Sequence, residues 1–190
     1  MLAIILLDLT ACSQSVSAEV LRSEKPRNTE PQVSQNISAA LADGNGKFAF
    51  DLNQVAKDGD GNLFYSPYSI SAVLGMTFAG ARGETERQMA DALNFTLPQD
   101  SLHLAFNSLD INLTSRGKGA RGKGGGASRL NVVNAMWGQK NFPFLPEFLD
   151  VLSENYVSGL RIVDFINEPG RKIWASLGDK LSGNRTTLRW

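Results

Sequence analysis

Three glycines, Gly117, Gly119 and Gly122, satisfy the phosphate-binding pattern G-x-G-x-x-G. Together with Lys123, they also come close to the P-loop pattern of nucleotide-binding proteins. Both patterns bind phosphate only where a strand precedes the glycines and a helix follows, because backbone amides and the helix N-terminus must converge on the phosphate. Here a predicted helix comes first and a predicted strand second, and Gly124 replaces the Ser or Thr of the P-loop. We therefore do not expect nucleotide binding.

The predicted loop that contains these glycines, residues 116–129, carries basic side chains and no acidic one. These basic residues are Arg116, Lys118, Arg121, Lys123 and Arg129. Their local field would attract a polyanion, although the formal net charge of the chain is +0, which disfavours a general nucleic-acid binder. A flexible, solvated connection between a helix and a strand explains the same residues, because loosely held charges bind weakly. Both interpretations stay open.

Other catalytic and metal-binding patterns are missing from the sequence. His103 is the single histidine, and no G-x-S-x-G segment supplies a serine nucleophile for it. Asp58 and Asp60 look faintly like a calcium loop, but no glutamate follows at the required spacing. The single cysteine excludes an internal disulfide and a cysteine-rich metal site. We expect no enzyme and no cofactor, and we expect His103 to lie at a solvent edge or to be satisfied within its helix.

Cys12 ends the segment LTAC, which has the form of a bacterial lipobox, where a peptidase cuts before a cysteine that then receives lipid. Residues 1–12 are therefore predicted to be a lipoprotein signal, and residues 13–46 a polar tether without a sustained apolar period. This predicts an extracellular or cell-surface protein tethered to the membrane through Cys12. An ordinary cleaved signal and a chance apolar start are alternatives, since the first residues lack Lys and Arg and include Asp8. No apolar run of about 18 residues predicts a membrane span.

Apolar spacing predicts the elements that position these residues, and 42% hydrophobic residues in 190 suffice for a core. Helices are predicted over residues 48–57, 67–79, 84–95, 101–115 and 146–156, and strands over residues 62–65, 130–137 and 160–165. The strand at 130–137 is apolar on both faces, which is typical of the middle of a layered domain. The predicted fold class is α+β, with core helices packed behind a large mixed sheet.

Residues 62–89 contain the most specific succession of signals. A short apolar strand leads to Ser66 and Pro67, a capping hydroxyl followed by a proline in the first turn of a helix. That helix is apolar on nearly all sides, which only a central core helix tolerates. The stretch from Gly80 to Gly83 then ends it.

This succession resembles the serpin family, which comprises serine protease inhibitors and their non-inhibitory relatives. The resemblance continues in order through residues 130–140 and 144–165, so residues 47–165 are identified as a serpin-like N-terminal half-domain of prokaryotic type. Residues 166–190 diverge from the family, because only Ile173 and Trp174 resemble its next helix. The resemblance therefore implies an incomplete domain.

The resemblance implies that the intact parent inhibits serine or cysteine proteases through a reactive loop that is cleaved and then inserts into the large sheet. That loop lies near the C-terminal end of a serpin domain, so we expect the 190-residue chain to be an inactive fragment. It also implies that Ser66 and Ser69 are the shutter serines beneath the large sheet, although Ser66 is equally a helix cap. A non-inhibitory binding module using the basic loop, or an inactive structural remnant, are the alternative functions. No nucleic-acid partner is expected.

Overall fold

The computed structural model describes residues 19–57, 62–116, 134–156 and 158–167. Within these ranges the elements, in chain order, are β1 (Val20–Leu21), α1 (Gln35–Ala56), α2 (Pro67–Phe78), α3 (Gly83–Leu93), α4 (Gln99–Arg116), β2 (Met136–Gln139), α5 (Pro146–Tyr156) and β3 (Leu160–Val163). Helices and a partial mixed sheet confirm the predicted α+β class. In these ranges no helix combines the length and apolar character that a membrane crossing requires.

The three strands form one mixed sheet in the order β1-β3-β2. β2 and β3 are parallel, with Met136 opposite Leu160, and α5 provides the crossover that a parallel pair needs. β1 pairs antiparallel with the other edge of β3, where Val20 lies opposite Arg161. Both predicted strands of this sheet differ in extent from the structure. β3 ends at Val163, and residues 130–133 of the other predicted strand lie outside the described ranges.

α2 lies between two apolar clusters, which confirms its prediction as a central core helix. Its Phe78 belongs to the cluster formed by α1 to α4, where the rings of Phe78 and Phe95 meet edge to face at 5.4 Å. Its Met76 belongs to the second cluster, with Leu152 of α5 and Leu160 of β3. All of these side chains are buried. α2 therefore joins the helical layer to the sheet.

α1 overturns part of the predicted tether. The helix begins at Gln35, where the Ser34 side chain accepts a hydrogen bond from the Ile37 amide, and the predicted helix at 48–57 is only its C-terminal portion. Residues 19–28 also form a strand and contacts with the domain. For residues 19–46, the prediction of a polar tether is therefore wrong.

The apolar residues of α1 recur with helical spacing, but Gly44 interrupts their series. Ile37, Leu41 and Phe48 pack into the helical core from one face of α1. Gly44 lies on that face and is buried, because the absence of a side chain lets α1 approach the carbonyl of Asn94. Glycine contributes no apolar signal and lowers helix propensity, so the sequence pattern conceals this part of the helix.

The predicted buried strand at residues 62–65 is also wrong. These residues form no strand, Leu63 is 50% exposed and Phe64 is 100% exposed. A strand needs a neighbour for its amides and carbonyls, and no described residue pairs with this backbone. The hydroxyl of Tyr65 donates a hydrogen bond to the side-chain oxygen of Asn53 at 3.3 Å.

Candidate functional site

Ser66 and Ser69, the predicted shutter serines, lie at the head of α2. Ser66 has extended backbone and its hydroxyl accepts from the Ser69 amide at 3.3 Å, followed by Pro67 in the first turn. The capping role predicted for Ser66 is therefore confirmed. Ser66 is exposed and Ser69 is half-buried. The shutter role stays a prediction.

A fully buried hydroxyl that sequence reasoning missed lies further along α2. Ser71 is 0% exposed and donates to the side-chain oxygen of Asn45 on α1 at 2.5 Å. This bond satisfies a polar group in the helical core, where an unpaired hydroxyl would be costly. Its partner lies in the part of α1 that was predicted to be a tether, so the pair could not have been foreseen.

His103 links α4 to α5 inside the domain. Its Nδ1 is hydrogen-bonded to the Tyr156 hydroxyl at 2.7 Å, and the histidine is only 2% exposed. Burial lowers the pKa of His103 from 6.5 to about 4, and burial likewise raises the pKa of Tyr156. Among the described residues, no group pairs with His103 Nε2. His103 is therefore a buried, neutral and half-satisfied group, and the prediction of a solvent-edge or satisfied histidine is wrong.

Residues 19–28, called the N-terminal segment below, lie along β3 and α5. The Ile162 amide donates to the Glu19 carbonyl at 2.8 Å, and the Asn28 amide donates to the Glu154 carbonyl at 3.0 Å. Between these ends, the side chain of Ser23 donates to Asp150. The backbone of the segment is thus attached at both ends and through a side chain between them.

Basic side chains of the N-terminal segment meet acidic side chains of α4 and α5. Lys25 Nζ lies 3.0 Å from Asp150 Oδ2 and 3.7 Å from Glu154 Oε1. Arg27 Nη2 lies 2.7 Å from Asp110 Oδ2. The hydroxyl of Ser23 and the ammonium of Lys25 lower the pKa of Asp150, since both stabilise its ionised form. Asp110, Asp150 and Glu154 are called the acidic row below.

Asn107 is the polar centre of this contact and is 0% exposed. Its oxygen accepts from Arg27 Nε at 2.9 Å, while its amide nitrogen donates to the carbonyls of Asn28 at 2.7 Å and Glu154 at 3.3 Å. One side chain thus connects the segment, α4 and α5. The sequence gives no local signal for this role, because the partners lie far from Asn107 along the chain.

The other predicted site residues lie largely outside the described ranges. Arg116 is the last residue of α4 and is exposed, which is compatible with either interpretation of the basic loop. Lys118, Arg121, Lys123 and Arg129 lie outside the described residues, as does Cys12. In the described ranges, no cluster of three or more His, Cys, Asp or Glu residues could hold a metal ion.

Comparisons with known proteins agree on one family. Residues 43–173 match the family model described as serpin (serine protease inhibitor). The leukocyte elastase inhibitor of Bos taurus is 38% identical over 137 residues, which are 71% of this chain and 33% of the relative. The leukocyte elastase inhibitor of Xenopus laevis is 36% identical over 142 residues, 73% of this chain and 34% of the relative. The chain spans about one third of the length of these relatives.

Two solved structures share the fold. The thermophilic serpin tengpin in its native state has a TM-score of 0.65 at 22% identity, over 88% of this chain and 41% of that chain. Cleaved kallistatin complexed with heparin has a TM-score of 0.60 at 24% identity, over 80% and 43%. The relatives in the preceding paragraph are animal proteins, so the prokaryotic type stays a prediction. The family match over residues 43–173 nevertheless confirms the resemblance, and the chain belongs to the serpin family.

Proposed function

We propose that this chain forms the N-terminal framework of a domain that inhibits serine proteases. The family match across residues 43–173, which includes all five helices apart from the start of α1, carries this proposal. The name of the relatives, leukocyte elastase inhibitor, supports a protease as the partner of the whole domain. In this proposal, the parallel pair of β2 and β3 is part of the large sheet and α2 supports it from behind. A cysteine protease partner is the second option.

The chain alone is proposed to be inactive, because its resemblance to serpins implies a reactive loop near the C-terminal end of the whole domain and the chain covers 33% of the bovine relative. Incubation of the 190-residue chain with elastase-, trypsin-, chymotrypsin- and subtilisin-like proteases should give no covalent complex on a denaturing gel. A band above the mass of the protease would contradict this.

A chimera tests the framework itself. Residues 19–165 of this chain, which keep α1 whole, joined to the remaining C-terminal part of the bovine leukocyte elastase inhibitor, should form a covalent complex with an elastase-like protease. The intact bovine protein is the positive control. A chimera that folds but is cleaved without forming a complex would contradict the proposed role.

For Ser66 and Ser69 we propose the shutter role within the whole domain. Ser66 already caps α2, so its replacement would confound a local helix effect with a shutter effect. Ser69→Ala is the cleaner change, because only its backbone amide takes part in that cap. In the chimera it should change the ratio of trapped to simply cleaved inhibitor. Ser38→Ala, at an exposed position of α1, is the matched control and should leave the ratio unchanged.

The location is proposed to be extracellular or at the cell surface, with Cys12 as lipid anchor. The lipobox form of residues 9–12 supports it. Expressed in a bacterial host, the wild-type chain should incorporate labelled palmitate and Cys12→Ala should not. Equal labelling of both, or labelling of neither, would contradict the anchor.

Polyanion binding by the basic loop is the alternative function, supported by sequence and by the exposed position of Arg116. Replacement of Arg116, Lys118, Arg121, Lys123 and Arg129 by glutamine should then lower the salt concentration at which the chain elutes from a heparin column. An unchanged elution would leave the loop as a solvated connection.

A further inference from the structure

The N-terminal segment is attached to the domain although it precedes the stretch that matches the family model, which begins at residue 43. Its attachment has two parts, an edge strand and a set of ion pairs. β1 adds to the free edge of β3, with Val20 opposite Arg161 and Leu21 opposite Leu160. Strand addition to an exposed sheet edge is a general mode by which proteins bind extended peptides.

Complementary charges set the position of the N-terminal segment along α4 and α5. Lys25 and Arg27 of the N-terminal segment lie against the acidic row, at 3.0 Å from Asp150 and 2.7 Å from Asp110. The buried side-chain amide of Asn107 donates a hydrogen bond to the carbonyl of Asn28, the residue that follows Arg27. An extended peptide with basic side chains at these two positions is therefore the ligand that this surface fits.

The N-terminal segment lies on the surface of the domain, as a bound peptide does, and is not part of its core. Val20 is 36% exposed, and Leu21 is the one residue of the segment that packs into the second apolar cluster. A cavity of about 210 Å³ is lined both by the segment and by the floor of the groove, which includes Ser153, Ser158 and Gly159. A side chain at Gly159 would come within 2.6 Å of Arg22 Cγ, so the floor is shaped for the peptide above it.

We propose that the edge of β3 and the acidic row form a binding groove for an extended basic peptide, and that residues 19–28 are its built-in ligand. The segment opens while the rest of the domain stays folded, and a separate peptide with the same pattern then takes its place. This interaction surface is separate from the proposed protease inhibition.

The exchange of the Ile162 amide measures occupancy of the groove, because that amide donates to Glu19. The Met76 amide, in the middle of the buried helix α2, reports global unfolding in the same experiment. In the unmodified chain, raising the salt concentration from ~0.1 M to ~1 M shortens the Debye length from ~10 Å to ~3 Å and weakens the ion pairs. The amide exchange of Ile162 should therefore become faster, whereas that of Met76 should not change. This readout needs no variant and so does not depend on a variant folding.

Charge reversal tests the acidic row directly. Arg27→Glu should accelerate Ile162 exchange by roughly three- to tenfold, since it replaces an attraction by a repulsion. Adding Asp110→Arg to this variant should restore slow exchange. Arg87→Glu is the matched control, because Arg87 has exposed ion pairs with Glu84 and Asp91 on α3, away from the groove. It should leave Ile162 unchanged.

Competition then tests binding in trans. A synthetic peptide of residues 19–28, in excess over the Arg27→Glu chain, should return Ile162 to slow exchange. The same peptide with glutamate at positions 25 and 27 should not. The proposal is overturned if Ile162 and Met76 exchange together under every condition, because the segment is then part of one cooperative core. It is equally overturned if the basic peptide gives no protection, or if both peptides protect equally.

Discussion

Two short segments of this chain are placed in the opposite way to what their compositions indicate. The N-terminal segment is mostly polar and charged, yet it is hydrogen-bonded to β3 and α5 at both ends. Residues 62–65, with the sequence NLFY, are mostly apolar, yet Phe64 is 100% exposed. The first segment has a strand edge and acidic side chains beside it. The second has no described strand beside it, so no neighbouring surface covers its apolar side chains.

A segment is therefore held by the partners within its reach, and its own hydropathy is a weaker guide to where it lies. An open strand edge and an ion pair can order a polar peptide, whereas an apolar peptide without cover stays in water.

Leu152 is the apolar support of the groove and should give the largest effect. It is 1% exposed on α5 and packs with Met76 and Leu160. Leu152→Ala should lower the free energy of unfolding by about 2–5 kcal/mol, because it leaves a cavity that the neighbours fill only in part. Urea unfolding followed by circular dichroism measures this.

The matched control for Leu152 is Leu145→Ala, the same truncation at a residue that is 68% exposed. It should change the free energy of unfolding by no more than about 0.5 kcal/mol. If the two truncations cost the same, α5 is not a packed support, and the docked state of the N-terminal segment loses its explanation.

His103 should make the domain sensitive to mild acid. Its pKa is about 4 in the folded protein against 6.5 ordinarily, because burial disfavours the charged ring, while Asp100 raises and Arg82 lowers it by less. The unfolded chain therefore takes up a proton below pH 6.5 that the folded chain refuses. The contribution of His103 to the free energy of unfolding is fully present above pH 6.5 and is lost as the pH falls to about 4. The loss amounts to about 3 kcal/mol, because each pH unit in this range costs about 1.4 kcal/mol.

Unfolding measured at a series of pH values should show this loss, and His103→Leu should remove it. Hydrogen bonds from Asn167 hold the pKa of Asp164 at about 2, so the stability linked to that carboxylate is lost only below its ordinary pKa of 3.8. The two windows are therefore separable. Equal pH profiles for the wild type and His103→Leu would mean that the histidine is accessible to water.

Asn107 tests the polar support of the N-terminal segment. Asn107→Ala removes the partner of Arg27 Nε and the hydrogen bonds to two carbonyls, those of Asn28 and Glu154. The expected loss in the free energy of unfolding is about 1–3 kcal/mol, the usual cost of unpaired buried groups. The Asn28 amide should also exchange faster. Asn112→Ala, at an exposed position of the same helix, is the control and should change little.

Local patterns closely predicted the helices α2, α4 and α5. α5 is observed at Pro146–Tyr156, as predicted, and α2 begins at Pro67, where the cap and the proline indicated. Apolar period, caps and proline are properties of a few neighbouring residues, so a sequence displays them directly. α4 was similarly predicted to within two residues at its N-terminus, since its apolar spacing is also local.

The polar contacts could not be predicted, because each joins distant parts of the chain. Arg27 and Asp110 are 83 residues apart along the chain, and His103 is bonded to Tyr156 of another helix. The start of α1 was missed for a different reason, since Gly44 replaces an apolar residue at a close helix contact. The exposure of residues 62–65 depends on a neighbour that a local pattern cannot supply.

Phe64 should give the smallest effect on stability. Since the side chain is 100% exposed, Phe64→Ser should change the free energy of unfolding by no more than about 0.5 kcal/mol. It should nevertheless reduce light scattering by concentrated protein, because an uncovered aromatic side chain beside unpaired backbone promotes association. Phe48→Ser, at a residue that is 7% exposed on α1, is the contrasting control and should destabilise strongly. A loss of more than about 2 kcal/mol in Phe64→Ser would mean that Phe64 is covered in solution, and the contrast between the two segments would then fail.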